Sequence, residues 1–183
     1  EVEESLSESE TRIAQIEMND LSTWKSIEVE EIGMEFKYPA IFGEAKYYQN
    51  DYTHGISFTN DDYFLYFSGV TAEHSVSRGG SFMDIVNFEK INNEYYINSS
   101  FDRKMGVILP KKIINDNVVY VEYDSYPEEI RNGPGIALPI QNIGAYINLE
   151  NQDKYKGLFF VVDKNEISED IFLNILESIK LEK

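Results

Sequence analysis

Residues 157–181 read GLFFVVDKNEISEDIFLNILESIKL, and this stretch decides the fold. Positions 158–162 are all apolar, whereas a strand with one solvated face alternates apolar and polar residues. The strand therefore belongs to a sheet that is covered on both faces. The residues after this strand predict a helix that covers one face of the sheet, because their apolar positions recur at helical spacing. These residues are Ile167, Ile171, Phe172, Ile175, Leu176 and Ile179.

The predicted closing helix has signals at both ends. Ser168 is suited to the N-cap position, and the acidic residues Glu169 and Asp170 follow in the first turn. Lys180 and Lys183 stand at the other end, so the charges at both ends complement the helix dipole. We therefore expect a helix that begins after Ser168 and has Lys180 in its last turn.

Length and composition limit the class of protein. A chain of 183 residues is typical of one domain, and it contains no run of about 18 apolar residues that would span a membrane. The absence of cysteine excludes disulfides, thiolate zinc sites, iron–sulfur clusters and a cysteine nucleophile. It does not identify a compartment. We expect a monomer without a cofactor.

The net charge is −17, from 33 acidic and 16 basic residues. Nucleic acid is a disfavoured partner, because its binding depends on basic residues that neutralise phosphates. An anionic membrane surface is disfavoured for the same reason. A divalent cation or a basic protein partner remains open, and solubility alone is the simpler interpretation.

The N-terminal region differs in composition from the rest. Residues 1–10 hold five glutamates and no basic residue, and residues 1–22 are predicted to be an acidic flexible tether or a weak helix. Residues 23–183 are predicted to form the single domain. Since the sequence begins at Glu1 instead of Met, we expect that an upstream segment was removed. A tethered domain suits an extracytoplasmic protein, secreted or lipid-anchored to the cell envelope; an arbitrary start of the sequence is the alternative.

Several further segments alternate apolar and polar residues or form short apolar runs, which predicts strands. They cover 27–29, 34–38, 45–48, 54–59, 63–67, 107–109, 112–114, 118–123 and 143–149. Ser81 is suited to cap a helix that continues to about Ile91, whereas residues 92–106, rich in Asn and Ser, are expected to be irregular. Because the connections are short, we predict an α+β fold, with a mainly antiparallel β-sheet flanked by helices on its faces.

Three short segments resemble the PsbP-like and Mog1-like domain family. They are FKYP at 36–39, the hairpin IINDNVVY at 113–120 and the helix FLNILESI at 172–179. The resemblance covers about residues 24–183 and implies an α/β/α sandwich that works by binding a protein, a photosystem II assembly in one branch and a small GTPase in another. Bacterial members are often envelope lipoproteins. Asn117 stands where the family usually has glycine, and no partner-contact residue is carried over.

Catalytic motifs are scarce in this sequence. The two histidines are His54 and His74, and Ser75 follows the second, but no Gly-x-Ser-x-Gly elbow is present. We therefore predict that the chain is not an enzyme. A hydrolase with an unrecognised site at these three residues is the alternative, since histidine is the side chain that titrates near neutral pH.

A weak divalent-cation site is a second alternative. Asp61 and Asp62 are the best local pair of carboxylates, and they follow Asn60. Asx residues also favour turns, and turn formation explains the same three residues without a ligand.

The segment 127–139, PEEIRNGPGIALP, is the predicted recognition surface. It shows neither helical nor strand periodicity and is longer than most ordered connections. Ile130 and Ile136 are apolar residues that a solvated loop does not need, and Arg131 is a rare cation in an acidic chain. These residues are expected to contact an unknown protein or small ligand; a loop that only covers the core is the alternative. We therefore predict a non-catalytic, extracytoplasmic binding or accessory domain.

Overall fold

A computed structural model describes residues 18–49, 54–60, 63–68, 85–99, 105–122, 142–149 and 157–182. The strands in these residues are β1 (Lys25–Val29), β2 (Met34–Tyr38), β3 (Ala45–Gln49), β4 (His54–Phe58), β5 (Phe64–Ser68), β6 (Ile85–Ile91), β7 (Glu94–Ser99), β8 (Met105–Ile108), β9 (Lys112–Asn115), β10 (Val118–Glu122), β11 (Asn142–Asn148), β12 (Gly157–Asp163) and β13 (Lys180–Leu181). One α-helix has both of its ends in the described residues; this helix, α1, spans Glu169–Glu177. Short 3-10 turns occupy Leu21–Thr23, Glu30–Ile32 and Ala40–Phe42.

The strands pair antiparallel throughout and form three sheets. The central sheet has the order β3-β4-β5-β12-β11-β10-β9, the helix-side sheet has the order β1-β2-β13, and the outer sheet has the order β6-β7-β8. The strand that is apolar on both faces, β12, lies in the middle of the central sheet and is buried from Gly157 to Val162. This part of the prediction is confirmed.

On one face of the central sheet, α1 and the helix-side sheet enclose the larger core. Phe160 of β12 packs between the two, because its ring centroid lies 5.4 Å from that of Phe172 in α1 and 5.6 Å from that of Phe36 in β2. Phe172 also lies 6.2 Å from Tyr120 of β10. The inward residues of β2, including Phe36, are buried. Each such side chain contributes roughly 1.5–3 kcal/mol by leaving water.

On the opposite face, strands provide the cover. Phe159 and Val161 point away from α1 and are buried under Phe88 and Tyr95 of the outer sheet. The side chain of Asn148, at the end of β11, accepts a hydrogen bond from the Phe88 N–H at 2.9 Å and donates one to the Phe88 carbonyl at 2.9 Å. The outer sheet is therefore attached to the central sheet by apolar packing and by one amide side chain.

The predicted α+β class is wrong. It expected helices on both faces of the sheet, but in the described part of the chain α1 shares one face with a small sheet, and strands cover the other face. The protein is mainly antiparallel β. A strand that is apolar on both faces requires only an apolar layer on each side, and an amphipathic sheet meets this requirement as well as a helix does.

The predicted helix ending near Ile91 and the predicted irregular segment after it are wrong where the structure describes them. Residues 85–91 form β6 and pair with β7, in register from Ile91 opposite Glu94. Asn92 and Asn93 connect the strands with φ angles of 52° and 69°. A two-residue hairpin loop of this kind needs positive φ at both positions, and Asn tolerates that region better than most residues. Ser81 lies outside the described residues.

The closing helix begins after Ser168 as predicted, but its capping and its end differ from the prediction. Ser168 occupies the N-cap position, but its side chain makes no capping hydrogen bond. The helix ends at Glu177, and Lys180 belongs to β13. Ser178 explains the early end, because its Oγ donates to the Ile175 carbonyl at 2.7 Å and accepts from the Lys37 N–H of β2 at 2.8 Å. These bonds turn the chain towards the helix-side sheet.

The predicted tether at 1–22 is described only from Met18 onward. The Trp24 indole N–H donates to the Met18 carbonyl at 3.0 Å, and the Met18 side chain packs against the larger core. Asp20 accepts a hydrogen bond from the Ser22 N–H at 3.0 Å and so caps the first 3-10 turn. The division into 1–22 and 23–183 stays a prediction. Among the described residues, no helix has the length and apolar composition needed to cross a membrane.

Candidate functional site

With the exception of His54, the site residues predicted from the sequence lie outside the described residues. This holds for Ile130, Arg131 and Ile136, for the carboxylate pair Asp61 and Asp62, and for His74 and Ser75. The backbone of His54 begins β4, as predicted. Within the residues that the structure does describe, no group of three or more histidine, aspartate or glutamate side chains could hold a metal ion. The proposals that use these positions stay predictions.

The outer edge of β9 is exposed and apolar. β9 is the last strand of the central sheet, and no described strand pairs with its outer side. The side chain of Ile113 is 51% exposed, and that of Leu109, three residues before β9, is 66% exposed. Ile113 pairs with the buried Val119 of β10, so both side chains point to the same face of the central sheet. The outer sheet covers this face nearer the middle of the central sheet. A strand edge with exposed apolar side chains is a common site for strand addition.

Two lysines beside this edge are engaged with α1. Lys111 Nζ lies 2.7 Å from Glu169 Oε1, and Lys112 Nζ lies 2.6 Å from Glu177 Oε1. The hydrogen bond from Lys111 holds the pKa of the Glu169 carboxyl below its ordinary value of 4.5, and the Tyr120 hydroxyl adds to this lowering. Lysine on an edge strand usually prevents unwanted strand pairing. Here the lysine charges are drawn towards the helix face, and the Ile113 face is left apolar.

A cleft of about 280 Å³ adjoins the end of β9. It lies between the β9–β10 turn and the C-terminal segment, and its lining residues are Asn115, Asp116, Asn117, Val118, Ile179, Leu181 and Glu182. The Asn117 N–H donates to Asn115 Oδ1 at 2.8 Å, and the Asn117 carbonyl accepts from the Asn148 N–H at 2.8 Å. Both bonds hold the turn in place, so this wall of the cleft is built by the sheet.

The cleft combines an apolar floor with acidic walls. Val118 and Ile179 are buried, whereas Asp116 and Glu182 are exposed. No cation of the described part of the chain pairs with either carboxylate, and no basic residue lines the cleft. Among the described residues, Lys180 is the lysine nearest to Glu182 in sequence, and it is held by Glu35, with 3.0 Å between Nζ and Oε2. Within the described residues, the cleft therefore presents uncompensated negative charge beside apolar surface.

The opposite edge of the central sheet has a different character. In β3, Lys46 is exposed, whereas Tyr47 packs against the larger core. Tyr48 lies over Gly55 of β4, since a Cβ atom there would be 2.9 Å from the Tyr48 hydroxyl. Among the described residues of β3, no large apolar side chain is exposed. This edge has the protection that β9 lacks.

Comparison of the chain with protein-family models, with curated proteins and with solved structures finds no match. The resemblance to PsbP-like and Mog1-like domains therefore stays a prediction. The arrangement at β9 is supported by its own geometry alone.

Sequence reasoning missed Leu109 and Ile113 as surface residues. The strand at 112–114 was predicted, but its place at the edge of the sheet was not. One signal was present: Pro110, Lys111 and Lys112 precede Ile113, and proline and lysine concentrate at edge strands.

Proposed function

We propose that this chain is a non-catalytic binding or accessory domain of the extracytoplasmic space. Its recognition surface is the outer edge of β9 with Leu109 and Ile113, together with the adjoining cleft; we call this the edge surface. One observation carries the proposal: two large apolar side chains are exposed beside a strand edge with which no described strand pairs. Such an edge is a liability in a free protein, and a bound partner removes that liability.

The charge distribution supports binding as the use of this surface. Lys111, just before β9, and Lys112, its first residue, are paired with α1, and the carboxylates of the cleft are unpaired within the described residues. A surface that is apolar at its centre and charged at its rim has the composition of a protein interface. The extracytoplasmic location is supported by the acidic, serine-containing region at 1–22 and by the family resemblance. Fractionation of cells that express the full-length protein tests the location.

Site-specific photo-crosslinking tests the function. A photoreactive phenylalanine analogue is placed at position 113 in one variant and, as a matched control, at position 46 on the opposite edge of the same sheet. We expect a defined crosslinked product from position 113 in envelope extract and much less from position 46. Equal yields from both positions, in variants with equal melting temperatures, would contradict the proposal.

A further inference from the structure

We infer that the edge surface takes an extended, basic segment of a partner protein. The segment adds to β9 as a further antiparallel strand and places a lysine or arginine side chain in the cleft. This inference rests on the function proposed above and specifies its partner.

Strand addition follows from the geometry of β9. In an edge strand, alternate backbone N–H and C=O groups point away from the sheet, and an extended peptide can pair with them. β9 has four residues and a register shift opposite Val118 and Val119, so a regular pairing extends over only about 13 Å. The added segment is therefore short, and side-chain contacts with Ile113 and Leu109 must contribute to its binding.

The position of the cleft relative to β9 determines where a charged side chain of the added segment binds. Asn115 is the last residue of β9 and also lines the cleft. A strand that pairs along β9 thus ends at the cleft, and the side chain at its end enters it. Leu181, which is partly exposed, offers apolar surface to the aliphatic stem of a lysine or arginine, while its charged head remains near the acidic rim.

Charge selects the partner. Asp116 and Glu182 are unpaired within the described residues, and the protein carries a net charge of −17. A basic segment is attracted both by the cleft and by the field of the whole molecule. A second copy of this chain carries the same negative charge and is repelled. An acidic segment is disfavoured for the same reason.

The experiment uses synthetic twelve-residue peptides that alternate valine with lysine, with serine or with glutamate. Their affinity for the protein is measured by fluorescence anisotropy at low and at physiological salt. Hydrogen exchange of the β9 amides is followed in parallel, because a paired strand slows exchange and a purely electrostatic contact does not. We expect the valine–lysine peptide to bind most tightly, to bind less tightly at higher salt and to slow exchange at 112–115.

Two variants and one control locate the contact. Ile113→Thr keeps a β-forming residue and should weaken the valine–lysine peptide roughly three- to tenfold. Asp116→Asn combined with Glu182→Gln should weaken it by a similar factor, since it removes two charge contacts. Glu28→Gln combined with Asp170→Asn removes the same charge from exposed positions outside the cleft, and should change the affinity less than about twofold.

The results separate this inference from the proposed function. Equal losses in the two double variants would show attraction by net charge alone and would overturn the inference. So would self-association of the chain through Ile113, which would assign the surface to a second copy. If crosslinking from position 113 captures a partner but the valine–lysine peptide neither binds nor slows exchange, the inference fails and the proposed function stands. If position 113 captures no more than position 46, both fail.

Discussion

Both faces of the central sheet are apolar, but they are covered in different ways. Phe160 faces α1 and the helix-side sheet, whereas its neighbour Phe159 faces the outer sheet. α1 follows β12 after a short turn, so this part of the cover of the first face is local in sequence. The outer sheet comes from residues 85–108, far from β12 in sequence. The first face therefore combines a large core with a short connection, and the second has neither.

Each cover also has a polar attachment to the central sheet. Lys111 and Glu169 join the start of β9 to α1 through an ion pair that is partly exposed. Asn148 joins β11 to β6 through two hydrogen bonds to the backbone of Phe88. A buried backbone group that loses its partner costs more than an exposed ion pair contributes. The polar attachment should therefore matter more on the outer face, and apolar packing should matter more on the helix face.

The largest expected effect is on the helix face. Phe172→Ala should lower the free energy of unfolding by about 3–5 kcal/mol, because Phe172 is fully buried between Phe160 and Tyr120. Denaturant unfolding measures the loss. Leu173→Ala is the matched control on the same helix; Leu173 is only partly buried, so the loss should be smaller. Equal losses would mean that this core is not the main source of stability.

The next effect is on the outer face. Gly144→Ala should lower the free energy of unfolding by about 2–3 kcal/mol, since the added Cβ would lie 2.4 Å from the Phe159 ring. Phe159→Leu should cost stability alone but should reduce the cost of Gly144→Ala in the double variant. A double-mutant cycle measures this coupling. Strict additivity would contradict a direct contact between position 144 and the ring.

A smaller and more local effect is expected at Asn148. Asn148→Leu leaves the N–H and C=O of Phe88 without these partners, which should cost about 1–2 kcal/mol. Hydrogen exchange should accelerate in β6 and β7 more than in α1, because the outer sheet opens separately. Uniform acceleration in both regions would show that the two covers unfold as one unit.

The same difference explains how well the cover of each face could be predicted from the sequence. The helix stripe and the two-faced strand lie within 25 residues, and their periodicities are unambiguous. β6 has apolar residues at 85, 86, 88 and 91, a spacing that suits a helix as well as a strand. Asn92-Asn93 is a weaker hairpin signal than Asn-Gly, so no nearby sequence signal contradicted the prediction of a helix. The layer on the outer face was therefore predicted wrongly.

The edge surface could not be predicted from the sequence for another reason. The hairpin of β9 and β10 was predicted correctly, and its turn lies at Asp116 and Asn117. Whether β9 lies inside the sheet or at its edge depends on strand order, which is set by pairings between distant segments. Burial of Ile179 beside Asp116 also depends on β13, which the sequence indicated as the end of a helix. The cleft follows from the tertiary structure alone.

The smallest effect concerns the ion pair on the helix face. The pKa of Glu169 is lowered from 4.5, first by the hydrogen bond from Lys111. A carboxyl with a lowered pKa in the folded state contributes stability that is fully present above its unfolded pKa and is lost as the pH falls through its folded pKa. Glu169→Gln should therefore cost less than about 1 kcal/mol near neutral pH, since the pair is partly exposed.

The pH dependence separates the ion pair from packing. The difference in unfolding free energy between the wild type and Glu169→Gln should be constant above pH 4.5 and should shrink below it, as the wild-type carboxyl becomes protonated. Lys111→Met removes the other partner and should show the same course. Denaturant unfolding over the acidic range measures both. A difference that persists in acid would assign the effect to packing of the Glu169 side chain, and the polar attachment of α1 would then be negligible beside that of the outer sheet.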